Sequence, residues 1–420
     1  MGFQQGLSGL SVTSKNLQVI GNNVANANTF GAKVARAEFS DMYAAALNGA
    51  GANTIGIGAN LAAVAQQFTQ GNIKTTENPM DLSISGAGFF QLTDTKGAVS
   101  YSRNGQFKVD REGFIVNNSQ QRLLGYPADG TGQIQPGLAG ALQLPTSGVA
   151  PAPTREIAIE MNLDARVQVT LPAAGAQIDF NDADTYNNAT SQTVYDEKGI
   201  GVTLTYFFQK AANDSWNVYA TANGDTLNGV AGAPLPITTL DFAANGASIT
   251  SPVGPLSINI PVTLNAAGAS TLPINGVVLN VSGTTQYGSA YAVTDLIQDG
   301  YEAGQLTAIT VESNGIITAR YSNGQSQPAG QIEVANFRNP QGLQAIGDNG
   351  WSRTFASGDP LMGVPGDGNL GVLQAGALEE SNIDLTGELV NMITAQRIYQ
   401  ANAQTIKTED QILQTLVNLR

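Results

Sequence analysis

Apolar residues recur at every seventh position at both ends of this chain. They are Phe3, Leu10, Leu17 and Val24 at the start and Leu385, Met392, Tyr399, Ile406 and Leu413 at the finish. A seven-residue apolar repeat marks a helix that packs along a seam. The spacing therefore predicts one helix at each end, the two paired as a coiled coil. Such a pairing brings start and finish together, so whatever lies between must hang from a helical stem as a loop. That is the plan of a subunit in a polymer.

The polar faces of these helices are unusual. Residues 1–30 carry one charged side chain, Lys15, and residues 389–406 carry only Arg397. A solvated helix is normally laced with Glu and Lys on its outer face. Here amides and hydroxyls stand in that place, among them Ser8, Thr13, Asn16, Asn391, Thr394 and Gln404. Two readings follow: the outer faces also meet protein, or the pair is a plain intramolecular coiled coil with a polar exterior.

Charge and side-chain chemistry exclude several functions. The 420 residues carry 19 Lys and Arg against 33 Asp and Glu, a net charge of -14. There is thus no electrostatic footprint for nucleic acid. Cysteine and histidine are both absent, which removes thiolate chemistry, imidazole bases and the usual zinc ligands. No catalytic residues, cofactor site or metal site are expected, and the chain reads as no enzyme. Its first residues lack the basic and apolar regions of a cleavable signal peptide. No run reaches the about 18 apolar residues of a membrane span, so membrane insertion is not expected.

Between the helices the period changes from seven to two. Val202, Leu204, Tyr206 and Phe208 alternate, as do Leu256, Ile258, Ile260, Val262 and Leu264, with Pro261 on the opposite face as befits an edge strand. The fold class is mainly β with terminal helices, in four parts. Residues 1–30 with 377–420 form the helical domain, and 31–67 form a linker or extension containing the Gly/Ala-rich run Asn48–Asn53. Residues 68–145 with 296–376 form a discontinuous β-domain, and 146–295 an inserted β-barrel or sandwich-like outer domain. Two Asn-Gly pairs predict three-residue hairpin loops with a left-handed glycine. Around Gly105 the register pairs Tyr101 with Phe107 and Val99 with Val109; around Gly315 it pairs Val311 with Ile317 and Ile309 with Ala319.

Three strings invite a chemical reading and fail it. Gly366-Asp367-Gly368-Asn369-Leu370-Gly371 matches a dinucleotide fingerprint, but its Pro- and Gly-rich surroundings read as a surface loop. Asp182 and Asp184 lack the companion ligands of a calcium loop and read as a solvated turn. Asp110 and Glu112, with no companion site, read as a polar strand end.

The segment Ile20–Lys33, with Asn22, Asn23, Asn26, Asn28, Thr29 and Gly31, resembles the N-terminal signature of the bacterial flagellar rod and hook axial proteins. It departs from that pattern at Ala32, which stands where the family carries an aromatic residue. The run Glu388–Arg420 is similar to the C-terminal end of that family's hook class, and the length with its inserted domain also points to the hook. The resemblance implies a subunit exported without a cleaved signal peptide by the flagellar type III apparatus. It further implies a homopolymer built under a hook cap protein, outside the cell, between the distal rod protein and the hook-filament junction protein, as a short curved tube acting as a universal joint. Leu10, Leu17, Val24, Leu385, Met392, Tyr399, Ile406 and Leu413 would pack its inner tube. Phe39 and Tyr43 are similar to the element thought to engage the export gate, although two aromatics at that spacing also suit an ordinary helix face. A straight distal rod subunit is the alternative within the family, and a secreted β-rich adhesin or surface-layer protein the alternative outside it.

Overall fold

The computed structural model describes residues 2–42, 56–130, 132–137, 139–145, 148–170, 178–265 and 268–418. They form two compact units. The first comprises residues 1–146, 308–320 and 326–420, and the second residues 147–307 and 321–325.

The first unit holds both helices, α1 (Gly2–Asn26) and α2 (Leu385–Asn418). Asp384 starts α2 by accepting the Thr386 N–H at 3.0 Å through its side chain, which satisfies one of the free donors of a first turn. After α1 come the antiparallel strands β1 (Ala35–Met42) and β2 (Gly58–Gln66), then β3 (Ile73–Thr75), β4 (Leu82–Ser85), β5 (Phe89–Thr93) and β6 (Val99–Ser102). Within the stretch 31–67, expected as a linker or extension, residues 35–42 and 58–66 are therefore paired strands. Its small and polar residues, such as Gly58, Ala59 and Ala63, hide the period-two pattern. Asn48–Asn53 lies outside the described residues. A lone two-stranded sheet is marginal in water, and this one is covered by α1.

The main sheet of this unit runs in the order Ile316–Tyr321, Ser326–Ile332, Arg122–Pro127, β5, β6, Gly350–Ser352. Alternation along β5 splits its side chains between two cores. Phe90 and Leu92 join Leu82, Ile84, Phe107 and Ile332 on one side. Phe89 joins Tyr101, Phe337 and Trp351 on the other, with rings edge to face at 5.8 Å for Phe89 and Trp351 and 4.7 Å for Tyr101 and Phe337.

The two Asn-Gly sites part company here. Gly315 is left-handed, with φ of 71 to 94 degrees shared by many turn glycines and its own at 83, and Glu312 N–H donates to the Ile316 carbonyl at 2.9 Å, so this loop forms as read. Around Gly105 no hairpin forms. Tyr101 pairs with Gln91 and Trp351, Phe107 enters the core against Phe90, and Val109 pairs with Ile115. Gly105 is needed for a different reason: a Cβ there would sit 1.6 Å from the Leu82 carbonyl oxygen.

The second unit is two sheets on one core. Asn188–Tyr195, Gly201–Ala212, Ser215–Ala222, Thr238–Phe242 and Ile249–Ser251 form one sheet. Leu256–Ile260, Ile274–Asn280, Glu156–Asn162 and Ala292–Gln298 form the other, with Leu256–Ile260 at its edge as Pro261 foretells. Val202, Leu204, Tyr206 and Phe208 from the first sheet and Ile157, Ile159 and Ile260 from the second meet in a single cluster. Neither sheet closes on itself, so the barrel alternative gives way to a sandwich. The alternation read through Val262 and Leu264 outruns the strand, which stops at Ile260; both residues are exposed. The expected boundary at 295 falls inside Ala292–Gln298, because that strand pairs with Glu156–Asn162.

Candidate assembly site at the two chain ends

The helices lie side by side and antiparallel. A Cβ on Gly6 would meet Ile406 Cγ1 at 2.9 Å and one on Gly9 would meet Asn402 Oδ1 at 2.7 Å, while Ile20 and Asn23 share a cleft with Glu388 and Ala395. Among the described side chains, Gly6, Thr13, Ile20 and Asn23 are the buried residues of α1, and Ala395 is the buried one of α2. This row sits beside the expected one. Leu10, Leu17, Val24, Met392 and Ile406 are half-buried, and Phe3, Leu385, Tyr399 and Leu413 are exposed. Glycines let the two backbones approach closely, so the α1 side of the seam includes small residues, Gly6, Gly9 and Thr13, that hydropathy does not flag.

The second face of α1 rests on β2. Ser8 Oγ donates to the Ala59 carbonyl at 2.6 Å and accepts its N–H at 2.9 Å, and Gln5 Nε2 donates to the Gly56 carbonyl at 2.8 Å. Gly58 (φ of 134 degrees) leaves room for this, since a Cβ there would lie 2.3 Å from Ser8 Oγ.

Below the helices the signature segment is tied down residue by residue. Asn23 donates to the Ala35 carbonyl at 2.8 Å and accepts the Ala35 N–H at 3.0 Å, fixing where β1 leaves the helix. Asn26 caps back onto the Asn22 carbonyl at 2.9 Å, and Thr29 accepts the Ala32 N–H at 3.2 Å through its carbonyl. Gly31 takes φ of 71 degrees, donates to the Glu379 carbonyl at 2.8 Å, and would place a Cβ 2.5 Å from the Asn104 nitrogen. Asn22 and Asn28 are exposed.

Next to Gly31 lies a buried charge cluster absent from the sequence reading. Lys33 Nζ donates to Glu379 Oε1 at 2.6 Å and to the Thr69 carbonyl at 2.7 Å, while Arg103 meets Glu379 Oε2 at 3.0 Å and the Gly86 carbonyl at 2.8 Å. The Gly71 N–H adds a further donor to Glu379 at 2.9 Å. The Lys33 and Glu379 side chains are both 0% exposed. Burial pushes the Lys33 ammonium below its ordinary pKa, and Glu379 opposes that shift; burial likewise lowers Arg103 against the same partner. Asn382 completes the junction, accepting the Val34 N–H at 2.8 Å and donating to the Gln67 carbonyl at 2.8 Å. One glutamate therefore joins the end of α1, the strand entering α2 and the Arg103 loop. No spacing rule links positions 33, 103 and 379.

Phe39 is half in the open on β1, opposite Leu61 at a bulge, so its surroundings are a strand and not a helix face. Tyr43 lies outside the described residues. The outward side of α2 stays apolar and uncovered, with Leu389, Val390, Ile393 and Ile412 each 44–58% exposed. Leu389, Val390 and Ile393 lie within five positions of one another, an exposed apolar cluster of the kind that marks an interaction surface. The three weak chemical strings are turns. Asp182 caps the single turn Ala183–Thr185, Asp110 accepts the Glu112 and Phe114 N–H groups, and Gly366–Gly371 closes a loop through the Gly366 N–H and Gly371 carbonyl. Among the described residues no cluster of metal-ligating side chains occurs, and no helix is long and apolar enough to cross a membrane.

Four family models match. Residues 3–33 match the flagella basal body rod protein model, and 83–182 the flagellar hook protein FlgE/F/G D1 domain. Residues 162–301 match the flagellar basal body protein FlaE D2 domain, and 374–419 the flagellar basal body rod FlgEFG protein C-terminal model. The flagellar hook protein FlgE of Salmonella typhimurium is 41% identical over 423 residues, covering all of both chains. That of Borreliella burgdorferi is 32% identical over 99% of this chain and 98% of its own. Among solved structures, Helicobacter pylori flagellar hook protein FlgE2 superposes with a TM-score of 0.53 at 14% identity, covering 73% of this chain and all of that one.

Proposed function

We infer that the chain, which belongs to the flagellar hook protein family, is a structural subunit of the bacterial flagellar hook whose terminal helices build the inner wall of a tube. The observation that carries the reading is the uncovered apolar side of α2, along a stretch, 389–406, whose one charge is Arg397, in a chain alignable with hook proteins from end to end. An isolated helix with such a face is unstable in water unless a neighbour covers it.

The half-buried or exposed heptad residues then acquire a use. Leu10, Leu17, Val24, Leu385, Met392, Tyr399, Ile406 and Leu413 flank the glycine seam and would pack between copies, with coiled-coil-like contacts running through the polymer. Many small apolar contacts shared among neighbours resist twist. The Asn- and Thr-rich surfaces of the β-units, making weaker contacts, would yield as the tube bends, which is what a universal joint requires. Export through the type III apparatus, assembly under a hook cap protein, and junctions with the distal rod protein and the hook-filament junction protein belong to the same reading. Phe39 and Tyr43 would serve at the export gate. The absence of Cys and His leaves no tool for most catalysis.

The test is assembly of purified protein. Full-length chains should form curved tubes by electron microscopy, and chains trimmed of residues 1–30 and 377–420 should stay monomeric. Met392→Glu should abolish tubes while leaving the monomer folded. Straight tubes would favour the distal rod subunit, and a trimmed core that still polymerises would remove the helices from the mechanism.

A further inference from the structure

The cleft between α1, α2 and β1 contains an unfinished carboxylate. It has a volume of 340 Å³ and is lined by Ile20, Asn23, Ala35, Arg36, Glu388 and Ala395 among others. Glu388 Oε2 is buried there without a hydrogen-bond partner among the described residues, and so is the Gln67 side-chain nitrogen. A buried carboxylate oxygen left unpaired is costly, by more than a neutral group would be. The one cation lining the cleft is Arg36, and it is engaged elsewhere: its guanidinium meets Glu38 at 2.7 Å on the outside of β1, with the Arg36 side chain 66% exposed.

The complementary charge stands on the same helix and out of reach. Arg397 is the only charged residue in 389–406, it is exposed, and no ion pair to it occurs among the described residues. Nine residues separate it from Glu388, which on an α-helix is about 13.5 Å of rise and half a turn around the axis. Within one chain the two therefore face opposite ways and cannot meet. On a polymer of identical subunits the same geometry lets each α2 offer Arg397 outward to one neighbour and Glu388 inward to another, a head-to-tail contact that propagates. A guanidinium suits the site better than a lysine ammonium, because its planar fork pairs with both carboxylate oxygens.

We propose that the cleft is a docking site for a second copy of this chain, with Arg397 of the neighbour seated on Glu388. The proposal rests on the polymer reading above and adds the register key to it. Along 389–406, where Arg397 is the one charge, apolar contacts define affinity but not register; one charge pair per subunit fixes which turn of one helix meets which turn of the next.

The absence of cysteine gives a clean test. Assembled E388C/R397C chains treated with a bis-maleimide cross-linker, whose span stands in for the two long side chains removed, should run as a ladder of covalent multimers on a denaturing gel, while E388C and R397C alone should not. In parallel, E388Q and R397E should each lower tube yield by about tenfold or more, and the charge swap E388R/R397E should recover most of it. Wild-type chains that stay monomeric sink the polymer reading, and this pairing with it. Wild-type and double-cysteine tubes that form normally, with no ladder, overturn the pairing alone. If R36E by itself blocks assembly and the swap rescues nothing, the carboxylate serves Arg36 of its own chain and the proposal falls.

Discussion

The inserted sandwich and the terminal helices treat apolar side chains in opposite ways. In the second unit Trp216, Tyr206 and Phe208 are at most 1% exposed, and two sheets close over one core. On α2 the apolar residues Val390 and Ile393 are more than half exposed, and the side chains that meet α1, such as Ile406 and Asn402, rest on its glycines. The first region is finished as a monomer. The second leaves that face open, and the buried Glu379 cluster ties the strand entering α2 to Lys33 and Arg103.

Four perturbations probe that contrast, and the chain supplies the reporters: Trp216 lies in the second unit and Trp351 in the first. Glu379→Gln leaves Lys33 and Arg103 buried without their anion and should cost about 3–5 kcal/mol. Denaturant unfolding of a W216F background should show the Trp351 midpoint fall, and a W351F background should show Trp216 unmoved. Leu204→Ala should do the reverse, costing the sandwich about 2–5 kcal/mol through the cavity it opens. An equal loss seen by both tryptophans would show that the units unfold as one. Gly6→Ala, which presses a methyl onto Ile406, should cost about 1–3 kcal/mol at the helix pair. Hydrogen exchange over residues 2–26 should speed up, with the sandwich amides unchanged.

The smallest effect is in pH. Hydrogen bonds from the Arg166 side chain and backbone hold the Asp164 carboxyl at about 2, below the ordinary 3.8. The unfolded chain binds that proton first, so this group favours the folded sandwich above pH 3.8 and loses its contribution as pH falls through about 2. Glu333, in the first unit, works in the other direction. Burial raises its carboxyl above 4.5, opposed by the hydrogen bond from Tyr126, whose own hydroxyl is pushed up to about 12. Its contribution is present below 4.5 and fades as pH rises through the folded value. Acidification should therefore weaken the Trp216 transition relative to the Trp351 one, and Asp164→Asn should remove that part of the difference.

How far the chain could be read in advance is clearest at its two Asn-Gly pairs. Asn314-Gly315 made the expected loop because both flanking strands are neighbours in the sheet. Asn104-Gly105 is the same dipeptide between similar alternating residues, yet Tyr101 and Phe107 go to different cores and the glycine serves as a gap for the Leu82 carbonyl. A turn signal states where the chain can bend, and the surrounding sheet decides whether it does. The helical seam shows the same limit. Periodicity located α1 and α2 correctly, but chose Leu10 and Leu17 over Gly6 and Thr13, because hydropathy weighs size and greasiness whereas close packing of backbones needs their absence.

By itself the sequence determined what is local and periodic: a helix at each end, strands of period two between them, and the signature of an axial flagellar subunit in residues 20–33. The tertiary structure alone decided which helix faces meet, that β1 and β2 exist, and that Lys33, Arg103 and Glu379 share one buried site. The physical reason is distance along the chain. Lys33 and Glu379 are 346 residues apart, so their pairing exists only after every intervening element has folded, and no window on the sequence contains both.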